Sequence, residues 1–197
     1  MAGLCASVFA ALTVAVLNGR AINVLDAHVR TWMNQLHAEA FVQFCLVITG
    51  MGSFVCIIMA TLVAIGLLWT WRQQRAIVGL LISVIGSQAT TYIAKYAIAR
   101  PRPRLATFIG ADTPSFPSGH TTAAVAAYGF IIYLICRPLP YSRLRFEIAF
   151  WGSALVLLIA ATRIILGVHF ASDVGAGLAV GAFWLLMGYA VCNRCNR

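Results

Sequence analysis

A histidine and an aspartate stand four positions apart near the end of the sequence, as His169 and Asp173. Side chains with this spacing lie on one face of a helical turn, so the carboxylate can reach the imidazole ring. A carboxylate partner fixes the tautomer of the ring, leaves its other nitrogen free to attack, and stabilises the positive charge that the attack creates. The pair therefore predicts nucleophilic catalysis by His169, with Asp173 as its orienting partner.

A second histidine ends a short turn, Pro-Ser-Gly-His at 117–120, which leads directly into a long apolar stretch. The first residues of a helix present unpaired backbone N–H groups and the positive end of the helix dipole, and both favour phosphate. Gly119 lets the backbone approach a ligand closely, and the hydroxyl of Ser118 adds a donor. The turn predicts a phosphate cradle, in which His120 is the acid that protonates the leaving oxygen.

Three basic side chains are candidates for holding an anion beside these histidines: Lys95, Arg102 and Arg163. Arg163 interrupts an apolar run, although an arginine at the centre of a membrane helix costs about 2.5–3.5 kcal/mol. Fixed positive charges suit an anion with several oxygens, and arginine can bind it bidentately. Because these cations can neutralise the charge and acidic residues are few, we expect neither a metal ion nor a cofactor. Arg100 and Arg104 are candidates for a second phosphate.

Each of these features also has an ordinary explanation. Lys95 could extend its ammonium group from a helix end to water, the arginines beside the prolines could lie in a solvated loop, and Asp173 could cap a helix. Taken together, these explanations require several coincidences on one side of the protein. Whether these residues lie on the same side depends on the helices and connectors that carry them.

The composition indicates a membrane protein. Of 197 residues, 61% are hydrophobic and 10% are charged, whereas soluble domains are nearer half apolar and a quarter charged. The apolar runs are continuous and do not alternate with polar residues, which favours helices over a barrel. The net charge of +9 comes without the basic and aromatic stripe of a nucleic-acid binder, so we expect no nucleic-acid partner. One domain spans residues 1–197.

Six apolar runs are long enough to cross a bilayer. They are 2–18, 51–71, 77–98, 120–136, 147–166 and 173–192. Residues 22–41 carry apolar side chains at helical spacing, with polar residues such as Asp26 largely between them, which predicts a helix lying in the membrane interface. The sequence therefore predicts an all-α membrane protein with six transmembrane helices plus an interfacial amphipathic helix.

Basic residues give the predicted orientation. Seven of the 14 Lys and Arg residues lie in three connectors that six spans place on one side. These connectors are 71–75, 137–145 and 193–197. The positive-inside rule puts that side, and both termini, in the cytoplasm. The active-site candidates then share the opposite, outer face of the helix bundle, which favours a joint function over separate coincidences.

With these residues in place, the chain resembles the type 2 phosphatidic acid phosphatase family of integral-membrane lipid phosphatases. The motif region, residues 95–173, matches the three-part signature K-x6-R-P, P-S-G-H and S-R-x5-H-x3-D, except that Thr162 stands where the family usually has Ser. The resemblance implies His169 as nucleophile, Asp173 as its partner and His120 as acid, independence of metals, and inhibition by vanadate. It also implies that the remaining candidates hold phosphate: Lys95, Arg102, Ser118, Gly119 and Arg163.

The expected function is hydrolysis of a lipid phosphate or diphosphate through a phosphohistidine, with a substrate of the phosphatidylglycerophosphate, phosphatidate or undecaprenyl diphosphate type. The small size and short loops resemble bacterial members, which predicts the bacterial cytoplasmic (inner) membrane. A phosphotransferase that passes the phosphoryl group to another lipid remains an alternative. An anion transporter is less favoured, because no span carries a series of charges at mid-depth. The sequence leaves the oligomeric state open.

Overall fold

The computed structural model describes residues 1–33, 39–103 and 113–193. Within these ranges the chain forms eight α-helices. They are α1 (Ala2–Asn18), α2 (Arg20–Met33), α3 (Glu39–Met51), α4 (Phe54–Thr70), α5 (Gln74–Ile98), α6 (Gly119–Cys136), α7 (Arg143–Ile165) and α8 (Ala171–Asn193).

The long apolar helices are long enough to cross a bilayer. The last four helices, α5 to α8, each pass this test alone, and the total reaches six spans if two bent pairs each count as one. One pair is α3 with α4, bent by 44°, and the other joins α1 to Ile22–Val29 of α2 at 95°. The prediction of an all-α, multi-pass membrane protein is confirmed.

The region before α5 differs from the prediction in two ways. The span predicted at 51–71 matches α4, but α3, which precedes it as a separate helix, was not predicted. The apolar run of α3 is interrupted by Gln43. The helix ends before Gly52, and Ser53 then caps α4 by accepting a hydrogen bond from the Cys56 amide at 3.4 Å. The helix predicted at 22–41 ends at Met33 in α2, residues 34–38 lie outside the described part, and 39–41 belong to α3.

Helix α8 forms the centre of the bundle, where it packs against α1, α5 and α6. Its glycines make the approach to α6 possible. A Cβ atom on Gly181 would lie 2.6 Å from Cβ of Val125 and 2.9 Å from the carbonyl oxygen of Thr122. Small residues allow helix backbones to come this close in a membrane protein, so Gly181 serves the packing of α8 against α6 within the chain.

Backbone hydrogen bonds join the ends of four helices at one end of the bundle. The amide of Ser118, just before α6, donates to the carbonyl of Asp173 in α8 at 3.0 Å. The amide of Ser115 donates to the carbonyl of Arg100, beyond α5, at 2.9 Å. The amide of His169 donates to the carbonyl of Arg163, in the last turn of α7, at 3.1 Å. Segments far apart in sequence therefore meet in one place.

Candidate active site

The Pro-Ser-Gly-His turn leads into α6, and Ser118 occupies the N-cap position without a side-chain hydrogen bond to the helix N–H groups. The side chain of Ser118 is fully buried and accepts a hydrogen bond from the hydroxyl of Thr121 at 3.0 Å. The hydroxyl of Thr122 donates to the carbonyl of Ser118, also at 3.0 Å. These bonds fix the turn, so that Gly119 and His120 form the first residues of the helix with its N–H groups unpaired, as phosphate binding requires.

His169 lies in the connection between α7 and α8, directly before the helix that carries its partner. Its Nδ1 is 3.4 Å from Oδ2 of Asp173, and the same oxygen accepts a hydrogen bond from the amide of Phe170 at 2.9 Å. An acidic residue in the first turn that accepts a hydrogen bond from the amide preceding the helix makes one half of a capping box. Asp173 therefore both caps α8 and contacts His169. The two roles that the sequence offered for Asp173, helix cap and partner of His169, are compatible.

Burial controls the charge of the His169 ring. The residue is 3% exposed, and this desolvation lowers the pKa of His169 to about 4, although the hydrogen bond and charge of Asp173 act to raise it. The positive charges of Arg102 and Arg163 lower the pKa further. At neutral pH the ring is therefore uncharged. With Nδ1 donating to Asp173, its Nε2 has a free electron pair.

Arg102 joins three segments around the free nitrogen of His169. Its Nε and Nη2 donate to the carbonyl and hydroxyl oxygens of Thr113, at 2.7 and 3.0 Å. Its Nη1 donates to the carbonyl of Val168 at 3.1 Å and lies 3.4 Å from Nε2 of His169. Burial lowers the pKa of Arg102, but an arginine keeps its proton in proteins. A positive charge therefore lies directly beside Nε2 of His169.

Lys95 and Arg163 supply two more cations. The ammonium group of Lys95 donates to the carbonyl of Pro114, and the charges of Arg102, Arg163 and Asp173 all act on it. Arg163 is buried, and its Nη1 donates to the hydroxyl of Thr49 at 2.7 Å. Its Nε is also buried and has no hydrogen-bond partner among the described residues. A buried guanidinium donor without a partner fits a site that receives an anion.

His120 lies near the same group. The charges of Arg163, Arg102 and Lys95, together with the ring of His169, are close enough to act on His120. The break between α3 and α4 packs behind it, since a Cβ atom on Gly52 would lie 3.4 Å from Cβ of His120. The structure thus brings together the predicted residues of all three motifs.

Arg100 does not have the role that the sequence indicated. Its guanidinium forms buried ion pairs with Asp173 at 2.6 Å and with Asp26 of α2 at 2.8 Å. Both pairs hold it away from a second phosphate, so that prediction is wrong, and Arg104 lies outside the described residues. Asp26, placed by the sequence pattern on a polar helix face, is 2% exposed. Neither Asp26 nor Thr49 was predicted from the sequence as a site residue. For Asp26 there was one signal, because acidic residues are few in so basic a chain.

The family model described as PAP2 superfamily matches residues 76–197, a stretch that contains all three motifs. The chain belongs to the PAP2 superfamily. The resemblance that the motifs indicated is thereby confirmed.

Several PAP2 proteins show how far the similarity extends. Phosphatidylglycerophosphatase B of Bacillus subtilis is 29% identical over 165 residues, which cover 82% of this chain and 73% of that protein. Lipid A 1-phosphatase of Rhizobium johnstonii is 36% identical over 127 residues, which cover 59% of this chain and 48% of that longer protein. The crystal structure of a transmembrane PAP2 type phosphatidylglycerolphosphate phosphatase from Bacillus subtilis has the same fold, with a TM-score of 0.90 and 21% identity over 100% of this chain and 98% of that one.

The prediction of a lipid phosphatase is confirmed at the level of the family, since these relatives are phosphatases that act on lipid phosphates. The substrate, the covalent intermediate and the roles of individual residues stay predictions. In the part of the chain that the structure describes, no three His, Cys, Asp or Glu side chains gather as a metal site would require. Independence of metals also stays a prediction.

Proposed function

We propose that the protein hydrolyses the phosphate or diphosphate group of a membrane lipid by passing the phosphoryl group first to His169 and then to water. One observation carries this proposal. Nδ1 of His169 lies 3.4 Å from the carboxylate of Asp173, while Nε2 lies 3.4 Å from the guanidinium of Arg102. A neutral imidazole oriented by a carboxylate and facing a cation is arranged to attack an anionic centre.

The binding step uses the cations and the start of α6. Lys95, Arg102 and Arg163 surround the phosphate, and the backbone N–H groups at Gly119 and His120 point at its remaining oxygens. The phosphate gives the buried Nε of Arg163 the partner it lacks among the described residues. These groups are in place before the substrate arrives, so little reorganisation is needed when charge builds up on the oxygens.

The first chemical step forms the covalent intermediate. Nε2 of His169 attacks phosphorus, the P–N bond forms, and the bond from phosphorus to the leaving oxygen breaks. His120 gives its proton to that oxygen, which leaves as an alcohol or as a phosphate. The ring of His169 now carries positive charge, which the carboxylate of Asp173 stabilises at Nδ1. The three cations balance the charge spread over the other oxygens of phosphorus.

The second step releases phosphate. His120, now neutral, accepts a proton from a water molecule, and the water oxygen attacks phosphorus as the P–N bond breaks. The electron pair returns to Nε2, so His169 is neutral again and His120 is protonated again. Each group ends as it began, and the balance needs no additional reactant beyond water.

Similarity and position support a particular class of substrate. A relative that matches 82% of this chain is a phosphatidylglycerophosphatase, which makes phosphatidylglycerophosphate the first lipid to test. The site lies at the ends of apolar helices, where a lipid can keep its tail in the bilayer. Arg137 directly follows α6, and Arg143 and Arg145 lie in the first turn of α7, at the other end of the bundle. The positive-inside rule puts that end in the cytoplasm and the site on the outer face of a bacterial inner membrane.

A phosphate-release assay tests the proposal. Purified protein in mixed micelles receives phosphatidylglycerophosphate, phosphatidate or undecaprenyl diphosphate, with and without a chelator. We expect phosphate release from at least one lipid, unchanged by the chelator and absent in His169→Ala. A second lipid offered as acceptor separates hydrolysis from transfer, since a transferase would yield phosphorylated acceptor instead of free phosphate. Release by folded His169→Ala at the wild-type rate, or no release from any lipid by folded wild type, would contradict the proposal.

A further inference from the structure

Asp26 makes an unusual set of contacts for a residue of an amphipathic helix. Its Oδ1 accepts a hydrogen bond from the amide of Ser172 at 3.0 Å, and its Oδ2 accepts one from the hydroxyl of Ser172 at 2.6 Å. The same Oδ2 forms an ion pair with Nη2 of Arg100 at 2.8 Å. A buried carboxylate is costly unless it is paired and hydrogen-bonded, and here three donors fill that requirement.

Arg100 extends these contacts to the partner of the nucleophile. Its Nη1 donates to Oδ1 of Asp173 at 2.6 Å and to the hydroxyl of Ser172 at 2.7 Å. The guanidinium also lies over the ring of Phe170, 4.2 Å from its centre. Both oxygens of Asp173 thus have partners. Oδ1 accepts a hydrogen bond from Arg100, and Oδ2 lies 3.4 Å from Nδ1 of His169. The position of the carboxylate is fixed from both sides.

The geometry points to Asp26 as a positioning residue of the active site. It holds Arg100 and the first turn of α8 in place, so that Asp173 presents Oδ2 to Nδ1 of His169. This inference rests on the proposed function of His169 as nucleophile, and it gives α2 a task in catalysis besides its place in the membrane interface.

Charge gives a second reason for this role. Asp26, Arg100 and Asp173 together carry one net negative charge. The other charged or titratable groups that act on His169 are Arg102 after α5, Arg163 in α7 and His120 in α6. Asparagine at position 26 would remove the excess negative charge and leave Arg100 with Asp173 as its ionic partner. Arg100 then competes with His169 for the carboxylate, and the charged ring that forms after attack is stabilised less.

The test replaces Asp26→Asn and compares it with Glu147→Gln. Glu147 lies near the start of α7, where it pairs with exposed Arg143 at 3.4 Å, so its replacement removes one negative charge at the other end of the bundle. We expect Asp26→Asn to lower kcat about 10- to 100-fold, the range typical of groups whose hydrogen bonds orient a side chain of the reacting centre. KM should stay within about twofold, because Asp26 does not touch the substrate. Glu147→Gln should match wild type in both constants.

A spectroscopic measurement reports the same effect without turnover. The protein contains four histidines, so selective ¹⁵N labelling gives few ring signals, and the signal absent in His169→Ala identifies His169. At neutral pH, wild type should show His169 protonated at Nδ1, and Asp26→Asn should show a mixture of the two neutral tautomers. If no lipid is hydrolysed but the tautomer changes as expected, the proposed function fails while the positioning role stands.

Two results would overturn the inference. One is a folded Asp26→Asn protein with wild-type kcat and an unchanged His169 tautomer. The other comes from a second variant, Ser172→Ala, which is used if Asp26→Asn fails to fold. Ser172→Ala removes only the hydroxyl that joins Asp26 to Arg100 and keeps both charges. It should lower kcat by at least about threefold and shift the tautomer in the same direction, so wild-type behaviour in both measurements would reject the positioning role.

Discussion

At the residue scale, the site subjects His169 to two opposing effects. Burial of the whole ring disfavours its charged form, while the carboxylate of Asp173, which contacts Nδ1, favours it. The nucleophile that we propose needs both effects, because it must begin neutral and end as a phosphorylated cation.

The neutral state of His169 can be observed directly by titration. Since its pKa is about 4, the free ring should remain mostly neutral from pH 8 down to pH 5, with about a tenth or less protonated at the lower limit. Protonation, and with it loss of the attacking electron pair, should set in only as the pH falls toward 4. The ¹⁵N ring shifts of His169 report this. A midpoint near 6.5, the value of an ordinary histidine, would contradict it.

Arg163 provides a test of phosphate binding by shape as well as charge. Replacing Arg163→Lys keeps a positive charge but removes the planar donor group, including the buried Nε and the Nη1 bond to Thr49. We expect kcat/KM to fall about 100- to 1,000-fold, as for loss of one preorganised donor. Arg137→Lys, at the opposite end of the bundle, is the matched control and should keep wild-type kcat/KM. Equal values for the two variants would rule out the role of Arg163.

At the element scale, close contact between α6 and α8 holds the turn at 117–120 beside Asp173 at the start of α8. A Cβ atom on Gly177 would lie 2.9 Å from the carbonyl oxygen of Ser118 and 3.1 Å from Cβ of Thr121. Ser118 is in turn hydrogen-bonded through its amide to Asp173. The absence of a side chain at position 177 therefore sets the distance between the start of α6 and the start of α8.

Alanine substitutions on α8 separate packing from helix propensity. Gly177→Ala should lower the free energy of unfolding by about 1–3 kcal/mol, the cost of overpacking, and should reduce activity because it displaces Ser118. Gly175→Ala is the control, since its Cβ would meet only Leu12 at 3.5 Å, an ordinary contact. It should be neutral or stabilising, because alanine favours helix over glycine by about 1 kcal/mol. Unfolding in mixed micelles and phosphate release measure both. Equal losses in the two variants would refute the packing argument.

The motif residues could be predicted from sequence because their roles depend on local spacing. The turn at 117–120 and the pair His169 and Asp173 each lie within a few positions, where helix geometry fixes what can meet. Contacts between distant segments could not be predicted in this way. Asp26 meets Ser172 across 146 positions, and Thr49 meets Arg163 across 114. Nothing local to either residue indicates such a partner.

The helix boundaries show the same division. The four long helices from α5 onward lie close to their predicted ranges, because a continuous apolar run of about 20 residues indicates a span by itself. The region of α2 and α3 was predicted less well, since short helices separated by a bend lack that signal. Arg100 was assigned to phosphate for a related reason. The sequence displays its charge but not the two buried carboxylates that neutralise it.

At the scale of the whole molecule, the two ends of the bundle differ in chemistry. One end gathers the buried cations, both motif histidines and α2. The other carries the basic connector between α6 and α7, with Tyr141 93% exposed. Under the positive-inside rule, we expect the end with the basic connector to face the cytoplasm. A substrate head group should then reach the site from the opposite face only.

Cysteine labelling tests this orientation. Single cysteines are placed at exposed Thr113, which contacts Arg102, or at exposed Tyr141, in a variant whose six native cysteines are replaced. In intact bacterial cells, a maleimide that does not cross membranes should label position 113 and leave position 141 unlabelled. Position 141 should react only after the cells are permeabilised. Labelling of position 141 alone in intact cells would show the reverse orientation.

Trapping the covalent intermediate tests the role of His169 most directly. Wild type is mixed with a lipid labelled with ³²P in the phosphoryl group that is transferred, quenched in base within milliseconds, and digested. The label should lie on the peptide that contains His169, survive base, be lost in acid as a phosphorus–nitrogen bond is, and be missing from His169→Ala. A burst of product with no labelled protein, or label on any other side chain, would show that the imidazole of His169 is not the group that attacks phosphorus.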